Sequence, residues 1–219
     1  MVAHSLAISP ALATPPWEIM PSSATTETLP SGTDSYNCAF GAFALADNST
    51  GHYNSVLEHV ALQFNTTGEA NTAIGYRALR GNTTASFNTA TGFQALISNT
   101  TGSQNTATGA SALVNNTTGS FNTANGAFAL GDNTTGSRNT ANGAFALSSN
   151  TTGNDNTATG AAALSEQHRL VYDNTAIGQS ALASNTNGFS NTAIGEWAPS
   201  LATPTGNVDT ATGVDALLA

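Results

Sequence analysis

The side chains best suited to chemistry are few in this sequence and are scattered along it. Its 219 residues include four histidines, one cysteine and 13 acidic residues. The histidines are His4, His52, His59 and His168, and their separations match no metal-ligand motif. Only a turn that brings Glu58 and His59 near His52 would make a small metal site. We therefore expect no metal ion.

The acidic residues and the glycines also lack the spacing of a known site. Asp34, Asp47, Asp132, Asp155 and Asp173 fall at variable places and not in a calcium-binding repeat. No nucleophile elbow or phosphate-binding loop is recognisable. We predict that the protein is not an enzyme, has no catalytic residues and needs no cofactor.

The charge balance narrows the class of partner. Only 8% of the residues are charged, and the net charge is -9 because the only basic residues are Arg77, Arg80, Arg138 and Arg169. This balance disfavours binding to a nucleic acid. No apolar run approaches the roughly 18 residues of a membrane span, so we expect no membrane insertion. The single cysteine, Cys38, excludes an internal disulfide.

A short polar phrase repeats along most of the chain. Eleven units of the form N-T-A-x-G-x-x-A-L-x-x-N-T-T-G-x-x begin 17 residues apart, with two steps of 18 residues. The third place holds Ala in every unit except the one with Val56, and the ninth holds Leu except at Pro199. The units begin at Asn37, Asn54, Asn71, Asn88, Asn105, Asn122, Asn139, Asn156, Asn174, Asn191 and Asp209.

The length and composition of the unit predict one coil of a solenoid. A 17-residue unit rich in Thr, Asn and Gly is too short for the helix pairs of most repeat families. We predict two short strands per coil, one at T-A-x-G and one around x-A-L, and an N-T-T-G turn whose glycine has a positive φ. Stacked coils of this kind form an all-β parallel β-solenoid, or β-roll, of about eleven 17-residue coils over residues 37–219. Residues 1–36 form an irregular N-terminal extension.

Asparagine at the first and twelfth places returns at the same point of every coil. Stacked side-chain amides can donate to one neighbouring coil and accept from the other, and asparagine also favours turns, so both roles are open. The residues predicted to form two such ladders are Asn71, Asn88, Asn105, Asn122 and Asn139 at the first place, and Asn65, Asn82, Asn99, Asn116 and Asn133 at the twelfth.

The recurring small residues suggest a surface that a second chain can approach. Each coil offers two alanines and one leucine, which is a thin core, and a face without large side chains allows close backbone contact. We predict that copies of the chain pack side by side along this face. Its predicted members are Ala73, Ala90, Ala107, Ala124, Ala141, Leu79, Leu96, Leu113, Leu130 and Leu147.

The repeat also resembles known families. The phrases NTAIGYRAL (Asn71 to Leu79) and NTAIGQSAL (Asn174 to Leu182) are similar to head repeats of trimeric autotransporter adhesins of the YadA type. The phrase NTTGSxNTAxGxxAL is similar to repeats of bacterial surface fibres and phage tail fibres. The resemblance covers Asn37 to Ala219 and implies a left-handed parallel β-roll that assembles as an obligate homotrimer, for adhesion or as a fibre shaft. No heptad stalk, membrane barrel or self-cleaving chaperone domain is recognisable.

Segments outside the regular repeat offer contact residues. Met1 to Tyr36 holds several apolar residues among Pro, Ser and Thr, so it is expected to be a tail, a cap over the first coil or a strand added to a neighbouring subunit. Three units depart from the phrase, with Glu58 in place of Gly, with SEQHRLVYD in place of a turn, and with EWAPSLATPTG. Candidate contact residues are Trp197, Tyr172, His168 and Arg169; drift of the repeat without a role is the other interpretation.

Two chemical uses of the repeat stay open. N-T-T, and N-S-T at Asn48, are acceptor sequences for N-linked glycans, although Asn and Thr also suit a turn. Threonine pairs such as Thr89 and Thr91 would set hydroxyls about 6.6 Å apart along a strand, in an array able to bind ice. The candidate glycan acceptors are Asn48, Asn65, Asn82, Asn99, Asn116, Asn133 and Asn150.

Together these features predict a structural role. We expect a self-assembling fibre subunit on a cell surface, in extracellular matrix or on a virion, which associates through small-residue faces, open solenoid ends or both. Its partner is itself, as a homotrimer or a head-to-tail filament. An adhesive head that binds a host or matrix surface is the alternative, and an ice-binding protein is the third.

Overall fold

Short strands recur once per coil in the computed structural model, which describes residues 36–166, 171–186, 188–198 and 209–213. We number the places in a coil from 1, its first asparagine, to 17. Every strand covers places 2 to 4. The strands are β1 Cys38–Phe40, β2 Ser55–Leu57, β3 Thr72–Ile74, β4 Thr89–Thr91, β5 Thr106–Thr108, β6 Thr123–Asn125, β7 Thr140–Asn142, β8 Thr157–Thr159, β9 Thr175–Ile177, β10 Thr192–Ile194 and β11 Thr210–Thr212.

All eleven strands form one parallel sheet in chain order, from β1 at one edge to β11 at the other. Each residue pairs with the residue at the same place in the next coil, as Ala90 does with Ala107 and Thr91 with Thr108. The predicted all-β parallel β-solenoid of coils of about 17 residues is confirmed. The described residues contain no helix, and hence none able to cross a membrane.

The predicted second strand around x-A-L is wrong. Places 7 and 9 of that segment have left-handed backbone angles, as at Gln94 (φ 57°) and Leu96 (φ 53°). A left-handed residue on each side of Ala95 bends the chain, so the segment is a turn. Its backbone still joins the coils, because Leu96 N donates to Ala112 O at 3.0 Å and Gln94 N donates to Tyr76 O at 2.9 Å.

The glycine at the N-T-T-G turn is required for a reason other than the one predicted. Positive φ belongs to the glycine at place 5, such as Gly109 (φ 130°), which ends each strand. The turn glycine at place 15 has no positive φ. A Cβ on Gly119 would instead lie 2.3 Å from the carbonyl oxygen of Gly136 in the next coil. Glycine here allows close stacking, and Ala85 shows that one coil accommodates a methyl group.

The core is a file of alanine and leucine side chains along the inside of the coils. Burying each leucine contributes about 1.5–3 kcal/mol, which offsets the cost of about 1–2 kcal/mol for its left-handed backbone. The prediction that these residues form an outer packing face is wrong, because a single chain already covers them. The ten residues, all with 0% exposure, are Ala73, Ala90, Ala107, Ala124, Ala141, Leu79, Leu96, Leu113, Leu130 and Leu147.

Candidate functional site

The asparagines at place 1 form a continuous ladder. Asn105 donates its backbone N–H to Asn88 Oδ1 at 2.9 Å and its Nδ2 to the same oxygen at 3.2 Å. Nδ2 also donates to the carbonyl oxygen of Gly119, in the same coil, at 2.9 Å. The side-chain contacts recur in each step from Asn37 to Asn174. Each amide therefore joins two coils and also closes its own coil.

The asparagines at place 12 form a second ladder that meets the first. Asn116 Nδ2 donates to Asn99 Oδ1 at 2.8 Å and to Gly119 O at 3.0 Å, so one carbonyl oxygen accepts from both ladders. The bond to Gly119 also fixes the turn, and the ladder and turn roles of asparagine coexist. The predicted ladder residues, all with 0% exposure, are Asn71, Asn88, Asn105, Asn122, Asn139, Asn65, Asn82, Asn99, Asn116 and Asn133.

Most of the candidate glycan acceptors belong to the second ladder, and their burial makes them inaccessible in the folded coil. An N-linked glycan is attached to Nδ2 of asparagine. In Asn82 this atom donates to Asn65 Oδ1 and to Ala85 O, both at 2.9 Å, inside the coil. The folded coil therefore leaves no room for a sugar. The same holds for the buried Asn65, Asn99, Asn116, Asn133 and Asn150, while Asn48 is half-buried with its Nδ2 bonded to Gly51 O.

The histidines of the described chain serve as aromatic neighbours. The ring of His59 stacks on that of Tyr76, with centroids 5.7 Å apart. Nδ1 of His52 is buried without a hydrogen-bond partner. The turn that would bring Glu58 and His59 to His52 as a metal site is not found, since no three His, Cys, Asp or Glu residues in the described ranges are placed to hold a metal ion.

One ion pair joins neighbouring coils among the described residues. Arg138 Nε lies 2.6 Å from Asp155 Oδ1. The hydrogen bond that Arg138 donates to Asp155, together with the negative charge of that carboxylate, raises the pKa of Arg138 above its ordinary value. Because the two side chains are 64% and 37% exposed, water screens the attraction and the pair adds little stability.

The strand side chains at places 2 and 4 point outward and form a surface that we call the strand face. None of the eleven strands carries a charged residue. Place 2 is threonine in nine successive strands, from Thr72 to Thr210. Place 4 holds apolar residues, Thr or Asn, and Ile177 and Ile194 there are 41% and 43% exposed. The strand face is therefore an uncharged surface along the whole sheet.

A second row of threonines lies at places 13 and 14, away from the strands. Thr117 Oγ1 donates to Thr134 O in the next coil at 3.0 Å, so the hydroxyl at place 13 stabilises the stack. Thr118 at place 14 is exposed. Exposed threonines of this row can therefore serve as control positions for substitutions of exposed threonines on the strand face.

Exposed apolar side chains concentrate in the first four coils. Phe40, Leu57 and Ile74 follow one another in register at place 4 and are 59%, 41% and 39% exposed. In the next two coils the same place holds Thr91 and Thr108. The apolar row therefore ends at the third strand.

A row of rings runs beside these residues at places 6 and 7. Phe43 meets His59 edge-on at 6.2 Å, His59 stacks on Tyr76 at 5.7 Å, and Tyr76 stacks on Phe93 at 5.6 Å. Place 6 of the next coil holds Ala110. We call the two rows together the N-terminal aromatic patch: Phe40, Leu57, Ile74, Phe43, His59, Tyr76 and Phe93.

The structure describes only two of the four contact residues that were predicted in the irregular coils. Tyr172 stacks on Phe189 with ring centroids 5.0 Å apart, and Trp197 is 56% exposed. His168 and Arg169 lie outside the described residues. None of the ring contacts among the described residues joins Tyr172 to Trp197.

Comparison with known proteins adds no relative, because no protein-family model, curated protein or solved structure matches the chain significantly. Sequence reasoning missed both the strand face and the N-terminal aromatic patch. Writing the units beneath one another would have revealed them, because Phe40, Leu57 and Ile74 then share one column.

Proposed function

We propose that the chain is a structural, self-assembling fibre subunit that works outside the cell, on a cell surface, in extracellular matrix or on a virion. The observation that carries the proposal is the strand face, an uncharged surface that spans all eleven strands. A rod whose coils repeat the same contacts suits a structural role. The proposal includes no catalytic activity.

A second copy of the chain is the partner that the strand face fits best. The strands carry no charged side chain, so the strand face of one copy does not repel that of another. Side chains on two copies match in spacing, about 4.8 Å per coil, because both chains carry the same repeat. The net charge of -9 opposes contact through surfaces that carry the acidic residues. The proposed lateral interface is therefore the strand face and not the small-residue face. Contact through the ends of the solenoid remains part of the proposal.

Electron microscopy with light scattering on the same sample tests assembly directly. Rods about 50 Å long, from eleven coils, with the mass of three chains would support a trimer. Long filaments with an axial repeat would support end-to-end joining. A mass of one chain at every accessible concentration would contradict the fibre proposal.

A pair of matched substitutions tests whether the strand face makes the contact. Thr108→Glu places a carboxylate on the strand face, and Thr118→Glu places one on the other threonine row; both positions are exposed. We expect Thr108→Glu to weaken association at least about tenfold, since burying an unpaired charge costs more than 1.4 kcal/mol, and Thr118→Glu to leave it unchanged. Equal association of both variants, measured by sedimentation, would exclude the strand face.

An adhesive head that binds a host or matrix surface is the alternative proposal. The exposed Trp197 in an irregular coil favours it, since aromatic side chains are frequent at binding surfaces. Trp197→Ala should then reduce binding to cells or matrix without changing the mass of the assembly.

Ice binding is the third proposal, and the unbroken threonine row from Thr72 to Thr210 favours it. An ice-binding protein would show thermal hysteresis that falls when Thr91 and Thr108 are replaced by bulky residues. Absence of thermal hysteresis in the parent protein would remove this proposal.

A further inference from the structure

The N-terminal aromatic patch is apolar surface that the described chain leaves uncovered. Phe40, Phe43 and Phe93 are 59%, 60% and 51% exposed. Stacking covers ring faces between neighbouring coils but leaves the outer side of the row open. Contiguous exposed apolar surface of this kind marks a binding site. Because the patch ends after four coils, it suits one local occupant better than a contact repeated along the rod, and the strand face from β4 to β11 stays available to a second copy.

We propose that the segment PPWEIMP, residues 15–21 of the same chain, docks on the N-terminal aromatic patch. Trp17, Ile19 and Met20 supply the apolar side chains, and a large aromatic ring with a methionine adapts well to a surface of rings. Pro16 has a fixed φ and Pro21 restricts the backbone of Met20, so the segment has less conformational entropy to lose on docking. The segment lies outside the described residues.

The chain joins this segment to the patch over a suitable distance. Between Met20 and Tyr36, the residue before the first coil, there are 15 residues, which span at most about 50 Å. The four coils of the patch extend over only about 15 Å. Tethering two groups through a linker of this length gives an effective concentration of about a millimolar, so even a weak contact is populated within one chain.

Charge also favours this occupant. Arg77 lies against the patch, with its guanidinium carbon 5.0 Å from the centroid of the Tyr76 ring. Its Nε is buried without a hydrogen-bond partner, and no acidic residue of the described ranges, Glu58 included, pairs with it. Residues 1–35 contain three acidic residues and neither Lys nor Arg. Glu18, next to Trp17, is the acid that docking would bring nearest to Arg77.

Tryptophan fluorescence tests the contact in the full chain. The sequence has two tryptophans, so Trp197→Phe leaves Trp17 as the only tryptophan reporter. We expect blue-shifted emission from Trp17 and about threefold less quenching by acrylamide than in a peptide of residues 1–35, because docking buries the indole. Arg77→Gln in this background should increase quenching.

A matched pair of double variants ties the signal to the patch. Tyr76→Ser with Phe93→Ser removes two stacked rings of the patch, whereas Phe128→Ser with Phe145→Ser removes the stacked pair whose centroids lie 5.4 Å apart in later coils. We expect only the first pair to restore peptide-like quenching of Trp17. Circular dichroism checks that both proteins keep the solenoid.

Three results would overturn the proposal. Trp17 could be quenched as readily in the full chain as in the peptide, or be protected equally in both double variants. Protection that disappears on dilution would assign the patch to a neighbouring copy and not to the same chain. Light scattering on these samples measures assembly separately, so failure of this proposal leaves the fibre proposal standing, and the reverse also holds.

Discussion

At the scale of single residues, asparagine replaces much of the apolar core that a 17-residue coil lacks. Asn105 at place 1 accepts from the next coil, donates to the previous coil and donates to a backbone carbonyl of its own turn. Buried polar groups of this kind stabilise only when all are paired. The repeat satisfies this condition by placing the same side chain at the same point of every coil.

Asn105→Ala tests this dependence. The change removes the acceptor of Asn122 N and Asn122 Nδ2 and the donor to Gly119 O, and it leaves these groups buried. We expect a loss of about 1–3 kcal/mol or more in the free energy of unfolding, measured by urea denaturation.

Asn115→Ala is the matched control for that measurement. Asn115 is exposed, and its Nδ2 contacts Asp132 Oδ1 at 3.2 Å on the surface. Its loss should change stability by no more than about 0.5 kcal/mol. Equal effects of the two substitutions would show that the buried ladder does not stabilise the coil.

At the scale of the coil, the structure has one strand and a left-handed turn where two strands were expected. The T-A-x strand was predictable, because alternation of an outward Thr, an inward Ala and an outward residue is the pattern of a half-buried strand. The x-A-L segment was not predictable in this way. Leu113 has a φ of 52°, which local preference disfavours, and it adopts this angle because stacking buries its side chain completely.

The same limit explains the error about the outer packing face. Repeated Ala and Leu were recognisable as apolar positions, but the side of the coil to which they point depends on turns that the sequence does not reveal. The asparagine rows were simpler to predict, because the fixed period alone places them above one another. The outer surfaces can be predicted only when the units are aligned and the residues at each place of the coil are compared. The N-terminal aromatic patch is recognisable only in such an alignment.

Ala107→Leu tests the corrected position of the core. Ala107 has no exposed surface, so a larger side chain must push neighbouring coils apart and should lower stability by about 1–3 kcal/mol. Ala110→Leu changes an exposed residue of the same coil and should be nearly neutral. Thermal unfolding of the dilute protein distinguishes the two positions. If Ala107→Leu altered assembly but left unfolding unchanged, the alanine would have to face another chain.

At the scale of the whole molecule, the chain is a one-dimensional array in which each coil contacts its neighbours. The register of every strand pair joins residues one coil apart, as in Thr89 with Thr106 and Thr106 with Thr123. A coil in the middle can therefore be removed without a change in the kind of contact that the remaining coils make. The stability of such an array should depend more on whether a deletion removes a whole coil than on how many residues it removes.

Deleting residues 105–121 tests this expectation. The deletion removes one 17-residue coil and joins Gln104 to Asn122, so that Asn122 takes the place of Asn105 above Asn88. The shortened protein should keep its circular dichroism per residue and unfold cooperatively. Deleting only residues 105–113 removes fewer residues, but it joins Gln104 to Val114 and takes away β5 while keeping the following N-T-T-G turn. Both asparagine ladders then lose their alignment across the junction, leaving buried amide groups unpaired at about 1–3 kcal/mol each. The smaller deletion should therefore cause the larger loss of stability, and the opposite order would contradict a solenoid held together by in-register contacts between coils.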